Sequence, residues 1–356
     1  MIASLNHQQT TQCFSRLEAR LKAFTSEVLY LNLGYVKTIK VVCCHPKATT
    51  MIRRQMAWSL VEPVEHPDAV LYFWEEPKFD AFLHQTLGLN FEREPDDDFI
   101  MLVQREDNQL NLFAESHMDK IFRLWSGNQY YFAVQSMEPE RLIKEGHLFV
   151  QLLYRILDTP STQLIHGACV GLDGKGVLLC ARGGGGKSTL TVTALFKGFE
   201  FVSDDYMLLK KEGDTLLASP LYSMIALSPQ VYNLLYDNLG PTRFLSLNGR
   251  MEKYLLDIAG WRSQARWNYP IKACLFPEIA PVEAPQILRC SPQEKGRAIT
   301  HMIHSTISQM NEQGNTAVVR KLVGMLNSLD FYRIRLSPDI FLNAECLREF
   351  VKQLNA

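Results

Sequence analysis

Ala181-Arg182-Gly183-Gly184-Gly185-Gly186-Lys187-Ser188-Thr189 is the stretch whose reading decides the fold. The residues before it, Gly176 to Cys180, form a short apolar run of strand type, and Leu190 to Lys197 after it reads as a helix. Strand, glycine loop, Gly-Lys-Ser and helix, in that order, is the context a phosphate-binding loop needs. Glycines let successive backbone N–H groups point into one concavity, and the helix that begins there adds its positive end. Gly183, Gly184, Gly185, Gly186, Lys187, Ser188 and Thr189 are therefore the expected nucleotide-binding residues, with Lys187 reaching the β- and γ-phosphates and the Ser188 hydroxyl on Mg²⁺. Ala181 stands where a first glycine is usual, which alanine tolerates if its φ stays negative.

The rest of the composition narrows the class. The chain has 356 residues, 47% hydrophobic and 21% charged, enough for two domains and a sizeable core in a soluble globular protein. A net charge of −1 argues against a broad nucleic-acid footprint. Eight cysteines appear without a C-x-x-C pair, and Cys43 and Cys44 are adjacent, a spacing that rarely bridges. This usage reads as reduced thiols, and the N-terminal residues lack the basic start and apolar core of a signal peptide. With no apolar run near the ~18 residues of a membrane span, the expectation is a cytoplasmic protein with no membrane or nucleic-acid partner.

Outward from the loop toward the N-terminus, the chain changes period. Phe14, Leu17, Leu21, Phe24 and Val28 recur at helical spacing, so one helix is expected over 10–30. From Val36 to about Ser136 short β-type runs follow, several joined by links short enough for antiparallel hairpins. Glu92 to Asp98 is an acidic segment read as a solvated loop rather than a metal site. A helix opened by Glu138-Pro139 is expected to run through Ile156 and stop at Asp158-Thr159-Pro160. The domain boundary is placed near it: 1–150 as an N-terminal α+β domain for substrate recognition or oligomerisation, and 151–356 as the nucleotide-binding domain.

In the second part, Thr162–Val170 is expected as one strand containing His166, and Phe199–Asp205 as a strand ending in two aspartates. Further strands are expected at Tyr206–Lys210, Leu216–Ala218, Lys253–Leu256, Lys272–Phe276 and Phe331–Leu336. Helices are expected at Pro292–Gln309, Thr316–Leu329 and Ile340–Gln353. His301 and His304 share a face of the first of these helices, without an evident third ligand for zinc.

Phosphoryl transfer needs a metal carboxylate and a group that orients the acceptor, and Asp204 and Asp205 are the candidates. Successive side chains on a strand face opposite ways, so one aspartate should face the metal and the other point elsewhere unless the strand ends there. Such an asymmetry suits one metal ligand and one base. Sixteen residues separate Lys187 from Asp204, room for one helix and a turn, whereas common parallel nucleotidases take the metal aspartate from a later strand.

Residues 164–209, with their His-Gly strand, glycine-rich Gly-Lys-Ser loop, helix and strand ending in Asp-Asp, resemble the HPr serine kinase/phosphorylase family. The order of elements continues more loosely to about residue 355, and Gly249–Asp257 and Tyr332–Asp339 look like segments of kinase relatives found beside peptide-modification systems. The resemblance implies the fold shared with phosphoenolpyruvate carboxykinase: α/β, a mixed sheet flanked by helices forming a P-loop kinase domain, here with the N-terminal α+β domain added. It implies that Gly183 to Thr189 bind the phosphates, that one of Asp204 and Asp205 holds Mg²⁺ while the other is base or acid at the acceptor oxygen, and that His166 sits beside the active site. Arg250 and Lys253 are candidates for a second positive group on the transferred phosphoryl. Two departures bear on the acceptor and on phosphorolysis: the family's Glu-Ile-Arg-Gly signature is replaced by Pro220–Ser228, and residues 1–150 match nothing in the classical enzyme.

The expected function is an ATP- and Mg²⁺-dependent kinase acting on a hydroxyl, serine in a peptide or small protein first. A small-molecule hydroxyl and a non-catalytic ATP-binding regulator are the alternatives, and a homo-oligomer is left open.

Overall fold

A computed structural model describes residues 7–86, 101–104, 111–115, 121–137, 147–181, 183–239, 244–247, 253–309 and 316–355. The chain is α/β, with mixed sheets flanked by helices. It divides into two compact units, one from Met1–Arg54 and Leu60–Leu152, the other from Gln55–Ser59 and Leu153–Ala356.

In the first unit, helix α1 (His7–Lys22) is followed by strands β1 (Glu27–Leu33) and β2 (Lys37–Cys43), helix α2 (Pro46–Gln55), β3 (Leu60–Val61) and β4 (Ala69–Glu75). Strands β5 (Met101–Gln104), β6 (Asn111–Glu115), β7 (Ile121–Ser126) and β8 (Gln129–Val134) complete a sheet of order β3-β1-β2-β4-β8-β7-β6-β5. Pairs β2/β4 and β4/β8 are parallel and the others antiparallel. Leu17 and Leu21 of α1 pack with Trp74, Phe122 and Tyr131 of the sheet. The single helix expected over 10–30 is corrected. It ends at Lys22 because Glu27–Leu33 alternates exposed and buried residues with the two-residue period of a strand. The helix Pro46–Gln55 was not expected. Residues 92–98, and 138–146 of the helix expected from Glu138, lie outside the described residues. The described helix there is α3 (Val150–Leu157).

The second unit carries β9 (Thr162–His166), β10 (Ala168–Leu172), β11 (Lys175–Leu179), helix α4 (Lys187–Phe196), β12 (Glu200–Ser203), β13 (Tyr206–Glu212), β14 (Thr215–Pro220) and β15 (Met224–Leu227). Helix α5 (Pro229–Leu239), β16 (Phe244–Leu247), β17 (Lys253–Asp257), β18 (Tyr269–Ile279), β19 (Gln286–Arg289), α6 (Pro292–Gln309), α7 (Thr316–Leu326), β20 (Asp330–Leu336) and α8 (Ile340–Gln353) follow. The large sheet runs β12-β10-β11-β18-β14-β13-β9, with β20 pairing β18 and β19 pairing β20; β15-β17-β16 form a small sheet. Only β11/β18 and β18/β20 are parallel among the described pairs of the large sheet.

Helix α4 is buried on two sides. Leu190 and Ala194 join Val177, Leu179, Ala273 and Leu275 of the large sheet, while Val192 and Leu195 join Phe201, Ile225, Leu227 and Leu256. Each such aliphatic side chain contributes roughly 1.5–3 kcal/mol when fully buried. The two threonines between them, Thr191 and Thr193, satisfy their buried hydroxyls on the carbonyls of Lys187 and Thr189, both at 2.9 Å. The helix that follows the glycine loop is therefore a fixed strut between two sheets.

The expected strand Thr162–Val170 is two strands. It breaks at Gly167, whose N–H turns to donate to the Asp205 carbonyl at 2.8 Å. A Cβ at Gly167 would meet the Leu179 carbonyl oxygen at 3.3 Å, so the close approach favours glycine. The break lets β9 pair with β13, placing His166 opposite Tyr206, while β10 pairs with β11 and β12. Among the described residues no helix is long and apolar enough to cross a membrane.

Candidate active site

The glycine loop leaves the end of β11, where the Cys180 N–H donates to the Leu275 carbonyl at 3.0 Å. Arg182 lies outside the described residues. Gly184 and Gly186 adopt φ of 77° and 90°, the left-handed region that glycine enters without strain. Gly186 is also pressed from one side, since a Cβ there would lie 2.6 Å from Leu336 Cδ1. Gly183 and Gly184 have open space around their α-carbons, and both are exposed. Helix α4 starts at Lys187 with no side-chain cap and no acidic residue in its first turn, so nothing in that turn opposes an anion at its positive end. Ser188 and Thr189 occupy that turn, half-buried.

Lys187 is buried and hydrogen-bonds Asp205 Oδ1. Burial works to lower its pKa, but the charges of Asp205 and then Asp204 outweigh it and hold it above the ordinary lysine value. The ammonium is thus pinned in its charged form.

The two aspartates sit on the turn between β12 and β13, and the strand ends at Ser203. The Ser203 hydroxyl donates to the Tyr206 carbonyl at 2.5 Å and the Tyr206 N–H to the Asp204 carbonyl at 2.8 Å, which closes the turn tightly. Asp205 takes φ of 62°, a left-handed conformation uncommon for residues other than glycine, though aspartate is among those that enter it most. With the strand ended before them, the pair does not alternate faces, and both carboxylates act on the same lysine.

Their surroundings differ. Asp204 is 2% exposed; its Oδ2 accepts the Ala226 N–H at 3.4 Å and its Oδ1 has no hydrogen-bond partner among the described residues. Burial, reinforced by the Asp205 charge, pushes its carboxyl up from 3.8 to about 7, while Lys187, the Ser188 hydroxyl and the Ala226 N–H pull the other way. Asp205 is more open, with its side chain 15% exposed and His166 Nε2 3.8 Å from Oδ1. His166 is held from the other side: its Nδ1 is 2.7 Å from Ser305 Oγ and its backbone N–H donates to Thr306 Oγ1 at 3.1 Å. Its ring packs against Tyr206, with centroids 5.4 Å apart.

The structure therefore brings Gly183–Thr189, Asp204, Asp205 and His166 to one place. Arg250 lies outside the described residues, and Lys253 begins β17 with its side chain outside the described set. His301 and His304 stay on α6, and among the described residues no group of three or more His, Cys, Asp or Glu side chains converges as a metal site. The magnesium expected from sequence has a fitting donor set all the same. A buried Asp204 oxygen with no partner among the described residues and the neighbouring Ser188 hydroxyl offer hard oxygen ligands to a divalent cation. Sequence reasoning missed Ser305, Thr306, Leu336 and the Ala226 N–H. None carries a local signal, because each reaches the site from a distant element.

Comparison with solved structures finds similarity to the Hpr(Ser) kinase/phosphatase from Coxiella burnetii, at 15% identity over 53% of this chain and 95% of that one, with a TM-score of 0.28. Overlap that slight carries no argument about this chain. No family model matches the chain. No curated protein matches it significantly.

Proposed function

We propose that this chain is a kinase that transfers the γ-phosphate of Mg²⁺-ATP to a hydroxyl, with a serine of a peptide or small protein as the acceptor. The observation that carries the reading is the convergence of the Lys187 ammonium and the unlike carboxyls of Asp204 and Asp205 at the mouth of the glycine loop.

In this reading the glycine loop and the start of α4 hold the phosphates through backbone N–H groups. Lys187 supplies the charge that offsets the negative oxygens of the transferred group. Asp204 and Ser188 would hold Mg²⁺, which when bound neutralises phosphate charge and helps fix the phosphates for in-line attack. Asp205, the more open carboxylate, orients the acceptor hydroxyl and takes its proton as the oxygen attacks. Burial suits this division. A buried Asp204 oxygen with no partner among the described residues fits a cation, whereas Asp205 has the access an acceptor requires. The unit formed by Met1–Arg54 and Leu60–Leu152 is proposed to recognise substrate or build an oligomer, in a cytoplasmic protein.

The test uses ATP labelled at the γ-phosphate, Mg²⁺ and a size-fractionated cell extract, with Asp205→Asn alongside. Label in a peptide or protein band, absent with the variant, is the expected result. Label in a small metabolite would replace the acceptor class, and label released only as free phosphate would overturn the kinase reading.

A further inference from the structure

Asp205 Oδ1 has both Lys187 and His166 as neighbours. Lys187 Nζ bonds to it and His166 Nε2 faces it at 3.8 Å, beyond direct hydrogen-bond length but close enough for the ring's polarity to matter. A carboxylate only accepts, so the ring is favoured with its proton on Nε2, toward Asp205. In a neutral imidazole Nδ1 is then an acceptor, and the group 2.7 Å from it is the Ser305 hydroxyl. The hydroxyl must therefore donate. The same turn of α6 presents Thr306 Oγ1 to the His166 backbone N–H at 3.1 Å. Two adjacent residues of one helix thus grip both the ring and the main chain of His166, across 139 and 140 residues of sequence.

We propose that Ser305 is a positioning residue: its hydroxyl fixes His166 in the Nε2-protonated tautomer, and His166 in turn keeps Asp205 aimed at the acceptor. This rests on the kinase reading for its consequence but not for its geometry. When Lys187 turns to the phosphates, Asp205 gives up its closest cationic partner, while the Nε2–H of His166 stays beside it. An imidazole free to rotate would present a lone pair to the carboxylate as readily as an N–H. Ser305 is half-buried, so removing its hydroxyl leaves no large void.

The experiment has two independent readouts. Two-bond ¹H–¹⁵N spectra of ¹⁵N-histidine protein at pH 8, with the His166 signals assigned by loss in His166→Asn, report the tautomer directly. Wild type should show a protonated Nε2 and a hydrogen-bonded, unprotonated Nδ1. Ser305→Ala should show exchange between tautomers, and Ser305→Thr should restore the wild-type pattern. A protonated Nδ1 in wild type, or an unchanged pattern in Ser305→Ala, overturns the proposal. In parallel, transfer of labelled γ-phosphate from Mg²⁺-ATP to the acceptor fraction of the cell extract should be about tenfold slower at saturating ATP in Ser305→Ala, with KM for ATP within about twofold, and should recover in Ser305→Thr. A loss confined to KM, or no loss at all, also overturns it. If the wild-type protein neither binds nor turns over ATP, the kinase reading fails while the spectra still decide whether Ser305 sets the tautomer.

Discussion

Replacing Asp204 by Asn should make the metal-free protein more stable at pH 8 and leave it nearly unchanged at pH 5. The Asp204 carboxyl titrates at about 7 in the folded chain against 3.8 ordinarily, because burial and the adjacent Asp205 charge disfavour its ionised form. Below about pH 4 it is protonated in both states, and the folded state keeps its full stability. Between about pH 4 and pH 7 the folded chain holds a proton that the unfolded chain has released, so stability falls as pH rises. Above about pH 7 the whole penalty is present. At roughly 1.4 kcal/mol per pKa unit it amounts to about 4 kcal/mol. Asparagine keeps the shape and removes the charge, but its amide leaves an unpaired buried group beside Lys187, which costs about 1–3 kcal/mol. The net gain expected at pH 8 is about 2 kcal/mol, or roughly 4–8 °C in melting temperature for a domain of this size. Melting curves in EDTA at pH 5 and pH 8, for wild type and Asp204→Asn, measure it. A variant that melts at or below wild type at pH 8, or a difference that does not depend on pH, would refute the reasoning.

Three further outcomes follow from the same geometry. Lys187→Ala should abolish nucleotide binding and also destabilise the fold by about 3 kcal/mol, since it strands two carboxylates beside each other; fluorescent-nucleotide titration and thermal melting read the two effects. Gly186→Ala should lower the melting temperature through both its φ of 90° and its 2.6 Å approach to Leu336, and in a double-mutant cycle with Leu336→Ala its cost should shrink to the backbone part. Tyr269→Phe should cost about 2 kcal/mol in urea denaturation, because its hydroxyl donates to Glu200 at 2.5 Å and accepts the Gly174 N–H at 2.9 Å.

The glycine loop and the C-terminal elements were legible because their punctuation is local. Pro292 opens α6, and Asp339 caps α8 by accepting the Phe341 and Leu342 N–H groups, so those helices start where the sequence places them. What could not be read depends on contacts far apart in the chain. The break at Gly167 is set by the Asp205 carbonyl and by the Leu179 carbonyl beside its α-carbon. Where the strand ends relative to Asp204 and Asp205, left open by the sequence, is settled at Ser203, and Asp205 then turns left-handed. Helix α4 shows no polar face because it has none, being covered by two sheets. Ser305 looked like any helix serine until the fold laid it against His166. In the first unit the switch from helix to strand after Lys22 was missed because Val28 continued the helical spacing by coincidence.

The most direct measurement is calorimetric titration of ATP into wild type, Asp204→Asn and Asp205→Asn, with and without Mg²⁺, followed by transfer of labelled γ-phosphate in the same samples. If Asp204 is the metal carboxylate and Asp205 the acceptor's partner, Mg²⁺ should tighten ATP binding in wild type and Asp205→Asn but not in Asp204→Asn, and neither variant should transfer phosphate. Binding that ignores Mg²⁺ in wild type, or transfer that survives in Asp205→Asn, would contradict that division of labour.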